Sequence, residues 1–259
     1  EGFRSHAGVE GLAAAAGGDW VRLELAEHQS GVIHRRPTPC WTPEAGDVGS
    51  KSTVSRDMMT GYLFGWWRRG ALEPLQRLAN YGSDNGWVMG QPAERTQEVE
   101  LGGNLQGTLC RSIQVLSRGA DKRSCADVAS YYFPVFPDYA RHIQVLGILL
   151  YGEVDAALRG GGARPPEEDA HPEMPLVHID GEMLNRLREN AEWDKADGLF
   201  AAALGVYTGD YARAIELLSD EAYQCPSYVR GAPTYCHVHR AFAMSVVLKH
   251  HGGVHAGAQ

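Results

Sequence analysis

Two aspartates are the residues of this chain best suited to acid–base chemistry. Asp57 lies near the start of a predicted helix, and Asp84 lies in the glycine-containing turn 81–87. Two carboxyl groups at a suitable separation can hydrolyse a glycosidic bond, and aromatic faces stack on sugar rings. Trp41 and Trp87 supply such faces. Each acid also has a structural interpretation, Asp57 as a helix-terminus acid and Asp84 as a turn residue.

A second set of residues suits elimination from a uronic acid. That reaction needs a cation beside the carboxylate and a base that takes the proton at C5. Arg36 and Arg56 are the candidate cations that would hold an anionic group, and Tyr62 and His34 are the candidate proton-transfer groups. Taken singly, Arg56 also fits an ion pair with an acid and Tyr62 fits a core position.

A third set lies near the C-terminus, where Cys236-His237-Val-His239 follows Cys225 by eleven residues. Zinc sites combine Cys and His ligands, so a zinc site at Cys225, Cys236 and His237 is one interpretation. Residues 236, 237 and 239 do not share one face of a helix, which argues against it. No metal or other cofactor is therefore expected, with zinc as the alternative.

The five cysteines allow disulfides as well as free thiols. Cys110 with Cys125 and Cys225 with Cys236 would each close a short ring, leaving Cys40 unpaired. Buried free thiols in a reducing compartment are the other interpretation. The first residues show neither an initiator Met nor a signal-peptide pattern, so the chain looks trimmed. Secretion or a periplasmic location is favoured if the cysteines pair.

The composition excludes several classes of function. The 259 residues are 44% hydrophobic and 22% charged, as in ordinary globular proteins, and carry a formal charge of −8 with a pI near 5.8. This charge and the lack of a basic stripe argue against nucleic-acid binding. The sequence contains no run of 18 apolar residues that could form a membrane span. Neither a phosphate-binding glycine loop nor a Gly-x-Ser-x-Gly elbow occurs.

Helical periodicity dominates the chain, and convincing strands are few. Asp210 is placed to cap one helix, while Gly70 and Gly152 are predicted to end two others. The predicted helices cover 8–16, 53–69, 71–80, 104–117, 125–132, 138–151, 181–190, 195–207, 210–219 and 236–250.

The helix over 53–69 is the most informative of these segments. Its apolar stripe consists of Met58, Met59, Tyr62, Leu63 and Trp66. On another side an acid and two glycines stand at i, i+4 and i+8, namely Asp57, Gly61 and Gly65. Such a row suits either close helix packing or a groove lined by backbone.

The helices are expected to form one domain over 1–259. Loop 31–52 carries aromatic and Cys residues, which is typical of a functional loop, and the Gly- and Pro-rich segment 160–175 looks like a flexible excursion. Pairs of helices joined by glycine turns favour an all-α fold, an α/α toroid or irregular ring of helical hairpins. An irregular multi-helix bundle is the alternative.

A resemblance supports the toroid. The run Ser52-Thr-Val-Ser-Arg-Asp-Met-Met-Thr-Gly61, followed by the turn 81–87, resembles segments of bacterial α/α-toroid carbohydrate-active proteins. In that group a Ser-Arg-Asp-x-x-x-Gly helix start follows an aromatic-rich loop, and 199–210 looks like another hairpin of the ring. Separately, the Cys236-His237 pair resembles a zinc-binding element of lanthionine-synthase-like toroids, although their Trp-Cys element is missing here.

These patterns predict a carbohydrate-active enzyme, a glycoside hydrolase or polysaccharide lyase. Its oligo- or polysaccharide substrate would lie in a cleft formed by loop 31–52, helix 53–69 and turn 81–87. The alternatives are a helical protein that binds a glycan or peptide without turnover and a zinc-dependent toroid enzyme. The sequence specifies neither the substrate nor the oligomeric state.

Overall fold

The computed structural model describes residues 7–29, 31–34, 54, 56–90, 99–125, 131–132, 139–158, 177–178, 198–220 and 233–256. Helices dominate this part of the chain, which confirms the all-α prediction. The backbone contacts divide into two compact units, Glu1–Val128 and Ala129–Gln259. The single domain predicted over 1–259 stays a prediction, and each unit is described by itself.

The N-terminal unit is built from five described helices and two small antiparallel strand pairs. The helices are α1 (Ala7–Ala15), α2 (Val21–Glu24), α3 (Arg56–Arg69), α4 (Leu72–Asp84) and α5 (Gly103–Leu116). The strands are β1 (Glu27–Gln29) paired with β2 (Val32–Ile33), and β3 (Val88–Gly90) paired with β4 (Val99–Glu100).

Helix α3 is the central element of this unit because its apolar residues are buried nearly all round. The predicted stripe of Met58, Met59, Tyr62, Leu63 and Trp66 is at most 3% exposed. Burial of this kind contributes roughly 1.5–3 kcal/mol for each large apolar side chain. The stripe prediction is therefore confirmed.

The glycine row of α3 serves close helix packing. A Cβ built on Gly11 of α1 would stand 2.1 Å from the carbonyl oxygen of Gly61, and one on Gly65 would stand 2.9 Å from the carbonyl oxygen of Gly11. Neither helix could approach so closely with a larger residue at these positions. Of the two interpretations of this row, close packing holds for both glycines.

The C-terminal unit contains four described helices and one parallel strand pair. The strands are β5 (Tyr131–Tyr132) and β6 (Val177–His178). The helices are α6 (Tyr139–Leu158), α7 (Gly198–Thr208), α8 (Tyr211–Ser219) and α9 (Pro233–Ala256).

Helix α7 forms the core of the C-terminal unit. Residues Leu199 to Leu204 are all buried, and α6, α8 and α9 pack around them. Asp210 caps α8 by accepting a hydrogen bond from the Arg213 N–H, as predicted. Arg240 of α9 donates to the carbonyl oxygens of Leu218 and Asp220 at the other end of α8.

Most predicted helices are present with ends shifted by a few residues. Gly70 ends α3 in the left-handed region at φ 69°, as predicted. Gly152 does not end α6, which continues to Leu158 because the buried face extends through Val154. The helix predicted over 125–132 is wrong at Tyr131–Tyr132, where the chain forms a strand.

Part of the predicted architecture lies outside the described residues. This applies to the helix over 181–190, the excursion 160–175 and most of loop 31–52. The short helix α2 and the strand pairs were not predicted. Within the described part of the chain, every helix is too short or too polar to cross a membrane.

Candidate functional site

The start of α3 and the turn after α4 are both hydrogen-bonded to the segment Glu100–Leu101. The Nε of Arg56 donates to the carbonyl oxygen of Glu100 at 3.1 Å. Glu100 is the register partner of Val88, and the N–H of Leu101 donates to the carbonyl oxygen of Trp87 at 3.0 Å. The first residue of α3 and the last residue of turn 81–87 are thus attached to adjacent residues of one strand segment.

Trp87 is held against the last turn of α4 in an unusual backbone conformation. Its φ is 63°, a region that bulky residues rarely adopt. The Trp87 N–H donates to the carbonyl oxygen of Gly82 at 2.6 Å. A Cβ on Gly82 would stand 2.5 Å from Cε3 of the indole, so the ring rests on a position where only glycine fits. Trp87 is half-buried, and its orientation is fixed by this contact.

The two aspartates are placed at the ends of these helices. Asp84 is the last residue of α4 and is exposed. The turn predicted over 81–87 is wrong at 81–84, where α4 continues, and the turn itself covers 85–87. Asp57 is the second residue of α3, and its side chain lies outside the described part of the structure. Arg36 and Trp41 also lie outside it. Arg56 is exposed, and its hydrogen bond to Glu100 goes to backbone.

Tyr62 and His34 are each hydrogen-bonded to a residue at the start of the β1–β2 hairpin. The Tyr62 hydroxyl donates to Oε2 of Glu27 at 3.4 Å, and the N–H of His34 donates to the carbonyl oxygen of Ala26 at 2.8 Å. Both side chains are buried, with Tyr62 fully inaccessible. Burial, and next the negative charge of Glu27, raise the pKa of Tyr62 well above its ordinary value.

Glu27 is the centre of a polar cluster that sequence reasoning missed. Its carboxylate accepts hydrogen bonds of 2.7 Å from Nε and Nη2 of Arg77 and from the N–H of Gly31. The Glu27 side chain is 8% exposed, so these bonds replace water that it has lost. Arg77 follows Glu27 by 50 residues, and no local pattern links the two.

The C-terminal Cys and His residues do not form a metal site in the described part of the chain. Cys236 is disulfide-bonded to a residue outside the described ranges, and a disulfide sulfur is not a thiolate ligand. His237 is exposed and His239 is buried. Cys225 lies outside the described residues. Among the residues that are described, no three His, Cys, Asp or Glu side chains are grouped as metal ligands.

The described candidates thus divide between two places. Arg56 and the backbone of Trp87 are bonded to the consecutive residues Glu100 and Leu101, and Asp84 lies three residues before Trp87 at the end of α4. Tyr62 and His34 are bonded to residues at the start of the β1–β2 hairpin. No family model matches the chain, no curated protein matches it, and no solved structure matches it.

Proposed function

We propose that this protein is a carbohydrate-active enzyme, a glycoside hydrolase, with its site where the start of α3 meets turn 81–87. The observation that supports this most is that Arg56 and Trp87 are hydrogen-bonded to consecutive residues, Glu100 at the end of β4 and Leu101 just after it. A cation and an indole of fixed orientation suit recognition of a sugar ring that carries an anionic group. The proposed partner is accordingly an oligo- or polysaccharide.

In this proposal Trp87 stacks on a sugar ring and Arg56 binds its anionic group. Arg36 and Trp41 of loop 31–52 extend the same contacts. Asp57 and Asp84 divide the acid–base work. One carboxyl group protonates the glycosidic oxygen as the bond to the leaving sugar breaks, and the other carboxylate activates water or attacks the anomeric carbon.

Hydrolysis is preferred to elimination because of where Tyr62 and His34 lie. Elimination requires a base that reaches the C5 proton of a polymer. The Tyr62 hydroxyl is inaccessible and bonded to Glu27, and His34 is 3% exposed. Neither side chain is accessible to a polymeric substrate, so lyase activity has less support than hydrolysis.

The finer fold proposed with this function is the α/α toroid. Its support is the packing of consecutive helices within each unit, such as α7 with α8 and α4 with α5. A toroid places helix ends and their loops around one cleft, and in this proposal the start of α3 and the end of α4 line it. A small-angle scattering profile matched to toroid and bundle shapes tests this arrangement.

The proposal is tested on a panel of neutral and uronate-containing polysaccharides. Hydrolysis releases reducing ends alone, while elimination also produces an unsaturated sugar that absorbs in the near ultraviolet. We expect reducing ends without that absorbance. Asp57→Asn and Asp84→Asn should each lower kcat by about 100-fold or more, the usual effect of removing an acid–base group.

Asp19→Asn is the matched control, since Asp19 is an exposed acid whose carboxylate accepts from the Val21 N–H at the start of α2. It should retain full activity. Full activity in Asp57→Asn would contradict the role of that acid. If the wild type released an unsaturated product and Tyr62→Phe did not, the result would instead support the lyase.

A second candidate function is glycan binding without turnover. It is favoured by the exposure of Asp84, because a surface that only binds a glycan needs no carboxyl group enclosed in a pocket. In that case calorimetry would detect a saccharide that binds to the wild type and not to Trp87→Ala, with no products formed. Stoichiometric bound zinc would favour the third alternative, a toroid enzyme with a C-terminal metal site.

A further inference from the structure

The loop that follows α5 is closed onto that helix by covalent and polar contacts. Loop 117–125 ends at Cys125, which forms a disulfide with Cys110 of α5 at a Cα–Cα distance of 5.4 Å. Nε2 of Gln114, also on α5, donates to the carbonyl oxygen of Arg123 at 3.1 Å. The loop is therefore held in one conformation along the helix.

An ion pair at the middle of this loop faces α4. Asp121 accepts hydrogen bonds from Nε and Nη2 of Arg123 at 2.9 and 2.8 Å. The same carboxylate accepts from Nε2 of Gln76 on α4 at 3.1 Å, and Nη2 of Arg123 donates to Oδ1 of Asn80 at 3.5 Å. Because Gln76 and Asn80 are four residues apart, they lie on one face of α4.

The contact at Asn80 comes immediately before the turn of α4 on which Trp87 rests. The carbonyl oxygen of Gly82 accepts from the N–H groups of Asn85 and Trp87, and the indole covers Gly82. A displacement of this last turn would move both the backbone attachment and the supporting surface of the indole. The orientation of Trp87 thus depends on how firmly the end of α4 is held.

We infer that the disulfide-closed loop 117–125 is the positioning element of Trp87. It fixes the Gln76–Asn80 face of α4 through Asp121 and Arg123, and through that helix it fixes the turn 81–87. Asp121 and Arg123 are positioning residues that do not touch the substrate. The consequence for saccharide binding rests on the proposed function, whereas the consequence for the turn does not.

Two variants remove the two parts of this element separately. Asp121→Ala removes the contact to Gln76 and the carboxylate that orients Arg123 toward Asn80, and it keeps the disulfide. Cys110→Ser with Cys125→Ser removes the disulfide and keeps the ion pair. Arg22→Ala is the matched control, since it breaks the Arg22–Glu10 ion pair between α2 and α1 in the same unit.

Hydrogen exchange of the full chain, followed by NMR, is the primary measurement. The amides to follow are those of Asn85, Trp87, Val88 and Leu101, all of which donate backbone hydrogen bonds around the turn. We expect their exchange to accelerate by about fivefold to tenfold in both variants, the effect of losing one or two hydrogen bonds that oppose local opening. Amides of α1 should be unchanged, and Arg22→Ala should leave the turn unchanged.

Unchanged exchange at the turn in Asp121→Ala would overturn the inference. So would an equal acceleration throughout the N-terminal unit in both variants, because that pattern reports general stability. The saccharide measurement is separate. If the wild type binds a saccharide, the Kd should weaken in Asp121→Ala by about fivefold with kcat nearly unchanged. If it binds none, the proposed function fails while the exchange result still decides the positioning role.

Discussion

Arg77 holds the carboxylate of Glu27 through two hydrogen bonds of 2.7 Å, although the two residues are 50 positions apart. The pair joins the first strand of the β1–β2 hairpin to the middle of α4. Glu27 is nearly buried and Arg77 is partly exposed, with side-chain exposures of 8% and 39%. The hydrogen bond to Glu27 raises the pKa of Arg77, so the guanidinium stays charged at every pH at which the protein is folded.

Replacing Glu27 should therefore destabilise the protein more than replacing a surface acid. In Glu27→Gln the side chain keeps its size, but Arg77 loses its counter-charge and the Gly31 N–H loses its charged acceptor. We expect the free energy of unfolding to fall by about 1–3 kcal/mol. Urea denaturation at neutral pH measures the change. Glu24→Gln removes the partner of Arg69 from an ion pair whose side chains are 39% and 53% exposed, and it should cost under about 1 kcal/mol. Equal losses in the two variants would contradict the prediction.

Tyr62 should make the protein lose stability at alkaline pH. Its folded pKa is raised, first by burial and then by Glu27, whereas an unfolded tyrosine ionises near pH 10. Its contribution is thus fully present below about pH 10, and above it stability falls by up to about 1.4 kcal/mol per pH unit until the folded pKa is reached. Urea unfolding at several pH values should show this loss in the wild type and a shallower one in Tyr62→Phe. If the free energy of unfolding fell equally steeply with alkaline pH in both proteins, the prediction would be wrong.

The contact between α1 and α3 should not tolerate a methyl group at Gly11. The Cβ of Gly11→Ala would stand 2.1 Å from the Gly61 carbonyl oxygen, and backbone cannot move aside as a flexible side chain can. We expect a loss of about 3 kcal/mol or more, at the upper end of overpacking effects.

Gly103→Ala is the control for that substitution. Gly103 is the first residue of α5, and a Cβ there meets nothing within 4 Å. Alanine at this helical position should leave stability unchanged or raise it by up to about 1 kcal/mol. Thermal unfolding of both variants checks the pair, and a Gly11→Ala protein as stable as wild type would show that the helices are not in this contact.

The thiol content should show two disulfides. Cys110 is bonded to Cys125, and Cys236 takes part in a second disulfide, so we expect four of the five cysteines to be paired. We expect one reactive thiol per unfolded chain without reductant and all five after reduction, measured by alkylation and mass spectrometry. A chain with most of its thiols reactive before reduction would contradict this pairing.

Some features of the structure were predictable because they depend on residues close together in the chain. Asp210 caps α8 through an N–H three residues ahead, and Gly70 ends α3 by adopting a left-handed conformation. The close-packing interpretation of Gly61 and Gly65 also came from spacing alone. What the spacing could not name was the partner, Gly11, which lies in another helix.

Other features were missed because distant segments decide them. Tyr131–Tyr132 reads as part of a helix, but it pairs with Val177–His178, and this pairing overrides the local helical pattern. The stop predicted at Gly152 failed for a similar reason, since buried contacts of α6 continue through Val154. Glycine lowers helix stability by only about 1 kcal/mol, which such packing exceeds.

By itself the sequence determined the helical character of the chain and the buried stripe of α3, because helical periodicity and caps act over a few residues. The tertiary structure decided which distant residues meet. It bonded Arg56 to Glu100 of β4 across 44 residues, and it buried Tyr62 against Glu27 across 35. Contacts over such separations depend on how whole helices and strands pack. The sequence around either residue therefore does not indicate which distant residue it will contact.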